Sequence, residues 1–182
     1  GQQMDMEFEQ RNDVTAEEYL EMIRLKTAVL LAASLKIGAR LGGASVEDAD
    51  RLYDFGMHIG VAFQLKDDLL DVYGNAKVFG KNIGGDILCN KKTYMLIKAL
   101  EHANADQHNQ LNSWINAETF QPAEKIAAVT ELYDRIGVKA VCENKILEYS
   151  NRAMESLAAV SIAEEKKEEL KKIIENLIHR EV

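Results

Sequence analysis

The chain has 182 residues, enough for one domain with a sizeable core. Its net charge of -8 argues against non-specific nucleic-acid binding, which needs a basic surface. A single proline and 47% hydrophobic residues favour a mostly helical globular protein, and the two cysteines, Cys89 and Cys142, suggest no disulfide framework and fit a reducing cytoplasm. No apolar run reaches the roughly 18 residues of a membrane-spanning candidate, and no signal peptide is visible, so stable membrane insertion is not expected.

Residues 1–14 are polar and acidic, with Asp5, Glu7, Glu9 and Asp13. Taken alone they read as a solvated lead-in. The first residue is Gly rather than Met, and residues 1–9 read as a helix end or loop of some larger structure, so an upstream portion is expected. Thr15-Ala16-Glu17-Glu18 is a capping box. It predicts a short helix to about Arg24, with Tyr19, Leu20 and Ile23 on its apolar face. Lys26-Thr27 precedes Ala28–Leu35, which is apolar nearly all round and so expected to be buried on most sides. A lysine at that point is either a snorkelling surface residue or a buried cation facing an anion. Ala32, Ala33 and Ser34 permit close helix packing, and Gly42-Gly43 marks the helix end.

Ser45-Val46-Glu47-Asp48 resembles a capping box with Asp in place of Glu. The helix it opens is predicted over about Val46 to Tyr73, with Leu52, Phe55, Gly56, Ile59, Gly60, Phe63 and Leu70 on i, i+3, i+4 spacing. Gly56 and Gly60 each cost roughly 1 kcal/mol of helix propensity, for which a close-packed neighbouring helix would compensate. The same helix carries Asp67, Asp68 and Asp71. Asp67 and Asp71 lie about one turn apart on one face, and Asp68 about a quarter-turn round. Such a cluster repels itself unless something positive offsets it. Its hard oxygen ligands suit Mg²⁺, which keeps several waters and bridges to substrate phosphates.

Tyr73 to Asn90 holds Gly74, Gly80, Gly84 and Gly85, with Lys77, Lys81, Lys91 and Lys92 alongside. The stretch is either an ordinary surface loop or a flap closing over an anion, with Asp86 positioned to hold one of the lysines by an ion pair. Beyond it the pattern is helical: Thr93–Ala103, about Asp106–Asn116, Pro122–Gly137 with proline in the first turn, and Val138–Val160. Ser161-Ile162-Ala163-Glu164 reads as a capping box opening a last helix, with Leu170, Ile173, Ile174, Leu177 and Ile178 as core. No repeat or interdomain linker is evident, so residues 1–182 are expected to form one all-helical domain. His58 reads as a surface or interface residue, and no histidine has a partner at metal-ligand spacing.

Phe63-Gln64-x-x-Asp67-Asp68-x-x-Asp71 resembles the second aspartate-rich motif of the trans-isoprenyl diphosphate synthases, or polyprenyl synthetases. Gly1-Gln2-x-x-Asp5, Lys26-Thr27-Ala28, Gly80-Lys81, Gly85-Asp86 and Lys91-x-Thr93 fall in that family's order. The resemblance covers essentially the whole chain, but only the C-terminal part of the family's fold. It implies an all-α bundle of the isoprenoid synthase type, here without its N-terminal helices. It implies a prenyltransferase that condenses isopentenyl diphosphate with an allylic diphosphate, using Mg²⁺ and working as a homodimer.

By the same resemblance, Asp67 is the direct Mg²⁺ ligand, while Asp68 and Asp71 act through metal-bound water or by orienting neighbours. Lys26 and Lys81 match diphosphate-binding lysines, and Lys91 a later lysine at the mouth, with Lys92 as its weaker substitute. Thr27 and Gln64 would steady the allylic cation. Gln2, Asp5 and Phe63 belong to the substrate-binding wall, and Lys66 reads as a local counter-ion. The family's first aspartate-rich motif has no match in these 182 residues, so this chain alone is expected to be inactive. Two other readings remain. A terpene cyclase also uses an aspartate-rich helix but lacks the ordered Lys-Thr and Gly-Lys positions. A non-catalytic partner subunit would keep the fold without needing these side chains.

Overall fold

The computed structural model describes residues 1–75 and 83–178. Its helices in order are α1 (Gln2–Phe8), α2 (Ala16–Ile23), α3 (Val29–Leu41), α4 (Val46–Tyr73), α5 (Gly85–Leu88), α6 (Tyr94–His102), α7 (Ala105–Ile115), α8 (Pro122–Ile136), α9 (Val138–Ala158) and α10 (Glu168–Ile178). A π-helical segment, Arg24–Ala28, joins α2 to α3, and a 3₁₀ turn, Glu164–Lys166, precedes α10. No strand occurs among the described residues. The chain divides into two compact units. Among the described residues, the first takes Gly1–Gln2, Leu20–Lys66 and residues 144–178; the second takes Gln3–Tyr19 and Asp67–Glu143.

In the first unit, the glycines of α4 meet small residues as their spacing predicts. A Cβ added at Gly56 would lie 2.6 Å from the Ala32 Cα, and one at Gly60 would lie 2.7 Å from the Ala28 Cα. Ala28 and Ala32 are fully buried. On the same turns of α4, Phe55, Ile59 and Ala62 pack with Ala153 and Leu157 of α9 and with Ile174 and Leu177 of α10. The expectation that α3 is buried on most sides fails. Leu30 is 75% exposed and Leu41 84%, and Leu31 and Ile37 are exposed too. Burial there follows the Ala28–Ala32 stripe rather than the apolar run. Ile173 is likewise exposed, against its expected core role.

Helix ends in this unit follow local chemistry. Gly43, at φ 84°, closes α3 with bonds from its own N–H to Arg40 O and from Ala44 N–H to Ala39 O. Ser45 Oγ accepts from Asp48 N–H at 3.0 Å, so one half of that capping box forms. The other half does not, because Asp48 turns to Arg51 and to the Ser161 N–H, at 2.8 and 2.9 Å. Ser161 therefore opens no α-helix. Its hydroxyl accepts from Arg51 instead, and the chain runs through the 3₁₀ turn before α10 begins.

In the second unit, α8 is the central element, with α5, α6 and α7 all packed on it. Val129, Leu132 and Tyr133 of α8 and Leu111 of α7 are buried. Thr15 and Glu18 exchange both capping-box bonds, at 2.9 and 3.2 Å. A second complete box at Asn104 and Gln107 opens α7. Residues 1–14 are not a solvated lead-in: they hold α1, and Phe8 and Val14 are buried. Polar composition hid this burial because only one residue per turn or fewer faces inward.

Candidate active site

The aspartates of α4 separate by environment. Asp67 and Asp71 are half-buried, whereas Asp68 is only 2% exposed. The Tyr19 hydroxyl donates to Asp68 Oδ2, and the Lys91 ammonium lies 3.5 Å from Asp68 Oδ1. Lys91 also pairs with Asp86 at 3.2 Å, the ion pair expected from the sequence. Asp86 in turn donates its backbone N–H to Asp71 Oδ2 at 2.9 Å, and Gly84 donates its N–H to the Asp71 carbonyl. Lys91 therefore supplies positive charge to Asp68 and Asp86. Burial pushes the Asp68 carboxyl up to about 7, against the opposing pull of Lys91 and Tyr19. Burial also raises Asp86. Burial disfavours the Lys91 ammonium, but Asp68 and Asp86 outweigh it and raise Lys91 above the ordinary lysine range.

Tyr19 was legible only as an apolar-face residue of α2. Nothing in the sequence separates a buried tyrosine whose hydroxyl is spoken for from one that merely fills space. Lys91 and Asp86 also border an open groove of about 620 Å³, together with Asp5, Phe8 and Cys89. Lys81, Gly80 and Lys77 lie outside the described residues.

The first unit holds the rest of the expected set. Lys26 and Thr27 sit on the π segment, where Val29 N–H reaches back five residues to Arg24 O. Such segments are short and occur often at functional positions. Lys26 is exposed, and the Thr27 hydroxyl donates to Gln64 Oε1 at 3.1 Å. A Cβ on Gly1 would lie 2.2 Å from the Lys26 backbone nitrogen, so only glycine fits there. Phe63 is 40% exposed and Gln2 is exposed. Lys66 donates to the Ile178 carbonyl at 3.2 Å, at the end of α10.

Among the described residues, no three His, Cys, Asp or Glu side chains form a self-sufficient metal site. Mg²⁺ seldom needs one, since it takes one or two carboxylates and completes its shell with water and phosphate. Asp67 and Asp71, half-buried and one turn apart, suit that donor set. Asp68 is instead engaged by Tyr19 and Lys91.

The polyprenyl synthetase family model matches residues 1–133. The chain belongs to the polyprenyl synthetase family. It is 38% identical over 181 residues to a short chain isoprenyl diphosphate synthase of Methanothermobacter thermautotrophicus, covering 100% of this chain and 54% of that protein. A crystal structure of geranylgeranyl pyrophosphate synthase matches with a TM-score of 0.91 at 36% identity, over 100% of this chain and 56% of that one. Another, from Corynebacterium glutamicum and complexed with isoprenyl diphosphate and magnesium, matches with a TM-score of 0.88 at 30% identity, over 98% and 51%. The fold is thus the all-α fold of isoprenyl diphosphate synthases, and the chain spans about half the length of the relatives it matches.

Proposed function

We propose that this chain carries part of the active site of a Mg²⁺-dependent trans-prenyltransferase, one that condenses isopentenyl diphosphate with an allylic diphosphate. The observation that carries the reading is the division of labour on α4. Two carboxylates, Asp67 and Asp71, stay half-buried while Asp68 is spent on fixing Lys91. The family membership and the magnesium and isoprenyl diphosphate of the Corynebacterium relative support it.

The reaction breaks a C–O bond to diphosphate, and negative charge gathers on the leaving group as the bond lengthens. Lys26, Lys81 and Lys91 would bind that diphosphate, with contacts that strengthen as its charge grows. Asp67 and Asp71 would hold Mg²⁺, which when bound would supply Lewis-acid stabilisation of the same charge. The Thr27 and Gln64 oxygens, already held together by a hydrogen bond, would face the allylic cation. Gln2, Asp5 and Phe63 would line the substrate wall. The two free cysteines fit a reducing cytoplasm, and we place the protein there as a homodimer. Gly56 and Gly60 are already closed against Ala32 and Ala28 within the first unit. Any dimer seam therefore uses other residues.

Calorimetry of the chain with Mg²⁺, with and without inorganic pyrophosphate, tests the metal assignment. Mg²⁺ should bind measurably only with pyrophosphate present, and Asp67→Ala should remove that binding. Tight Mg²⁺ binding to the protein alone, unchanged in Asp67→Ala, would overturn the assignment.

A further inference from the structure

Asn90 is the one non-glycine residue with positive φ among the described residues, at 52°. A side chain in that region is strained unless its surroundings hold it there. Both ends of the Asn90 amide are held. Its Nδ2 donates to the Ile115 carbonyl at 2.9 Å, and its Oδ1 accepts from Lys125 Nζ at 2.7 Å. Lys125, on α8, is 1% exposed, and its ammonium stands 4.2 Å from the centre of the Phe120 ring. Among the described residues no carboxylate pairs with it, and its bond is to the Asn90 amide. Burial accordingly lowers the Lys125 ammonium below the ordinary lysine range. An unpaired buried ammonium is costly, so its bond to Asn90 is the compensation the site offers.

What Asn90 leads into is Lys91. The Lys91 N–H donates to the Asp86 carbonyl at 3.0 Å, its own carbonyl accepts from Thr93, and its ammonium reaches Asp68 and Asp86. A small cavity of about 20 Å³, distinct from the open groove and large enough for one water, is lined by Asp68, Asp86, Asn90, Lys91 and Lys125. We propose that Lys125, acting through the Asn90 amide, is a positioning residue that fixes the backbone at Lys91 and so aims the Lys91 ammonium at diphosphate. This rests on the diphosphate-binding role given to Lys91 above.

The test uses the 182-residue chain with Lys125→Met, Asn90→Gly, the double variant, and Lys91→Met as reference. Two readouts are needed: amide hydrogen exchange at Lys91 and Lys92, and calorimetric affinity for inorganic pyrophosphate with Mg²⁺. Each single variant should speed exchange there about tenfold and weaken pyrophosphate about tenfold, the scale of one charge-assisted bond. The double variant should be no worse than the weaker single, because both remove one linkage. Unchanged exchange in both singles, or additive losses in the double, overturns the proposal. If Lys91→Met weakens pyrophosphate and the other variants do not, the reading of Lys91 stands and the positioning role falls. If exchange quickens but no variant, Lys91→Met included, alters pyrophosphate affinity, the linkage stands and the diphosphate reading falls. Asn90→Gly accepts the backbone angle without strain, so it carries the test should Lys125→Met fail to fold.

Discussion

Within the first unit, α4 meets the π segment and α3 through two glycines and two alanines. Within the second, the same helix meets its surroundings through an aspartate, a tyrosine and a lysine. One seam works because side chains are missing and backbones can approach. The other works because charged and polar groups are desolvated together and satisfy one another. The difference teaches what each will tolerate. A close backbone seam penalises added volume of any chemistry, while a buried polar network penalises the loss of a single donor.

The largest expected effect breaks the first seam. Gly60→Leu should destabilise the chain by about 3 kcal/mol, because its Cβ alone would meet the Ala28 backbone and side chain. Gly38→Ala is the matched control on α3, where an added Cβ meets nothing within 4 Å. It should stabilise by about 0.5–1 kcal/mol through helix propensity and reduced unfolded-state freedom. Urea denaturation of both decides the matter. Equal effects of the two substitutions would mean the seam is not tight. Next in size, Tyr19→Phe strikes the second network and should cost about 2 kcal/mol, since the Asp68 oxygen loses a buried donor. Loss of stability near zero would show that Lys91 alone satisfies Asp68. Smaller again, Thr15→Ala removes one capping-box bond of α2 and should cost about 1 kcal/mol in the same assay.

The first seam was legible in the sequence and the second mostly was not. Gly56 and Gly60 sit one turn apart in a helix whose other spacings are apolar, and their propensity cost had to be offset by a neighbour. Capping at Thr15 and Ser45 was legible because it is local chemistry over three residues. That Asp86 pairs with a nearby lysine was anticipated for the same reason, although which lysine was not, and five residues separate it from Lys91. Tyr19 and Asp68 are 49 residues apart, and Lys125 and Asn90 are 35. No periodicity encodes such partners. Lys125 reads as an ordinary helix-surface lysine, and only its 1% exposure reveals otherwise. The false box at Ser161 fails for a similar reason. Asp48, 113 residues earlier, had already claimed its N–H.

The smallest effect sharpens the comparison through a second buried lysine. Lys167, in the first unit, is 2% exposed and so as buried as Lys125 in the second at 1%, but it has a carboxylate partner. Its ammonium donates to the Ala158 carbonyl at 3.0 Å and to Glu164 at 2.8 Å. Hydrogen bonds from Lys167 and then Lys171 hold the Glu164 carboxyl down to about 2, from an ordinary 4.5. A folded value below the unfolded one means that the ionised group favours the folded chain. The contribution is full above about pH 4.5 and is lost as pH falls through about 2. Glu164→Gln should therefore lower Tm slightly at pH 7 and converge on the parent near pH 2. Glu164 itself is 63% exposed, so water and salt screen most of the pairing, and the difference should shrink further in 1 M salt, where the Debye length is about 3 Å. If the Tm gap were instead independent of both pH and salt, the Lys167 ammonium would be held by the Ala158 carbonyl alone. The two buried lysines would then be alike, each resting on a neutral oxygen.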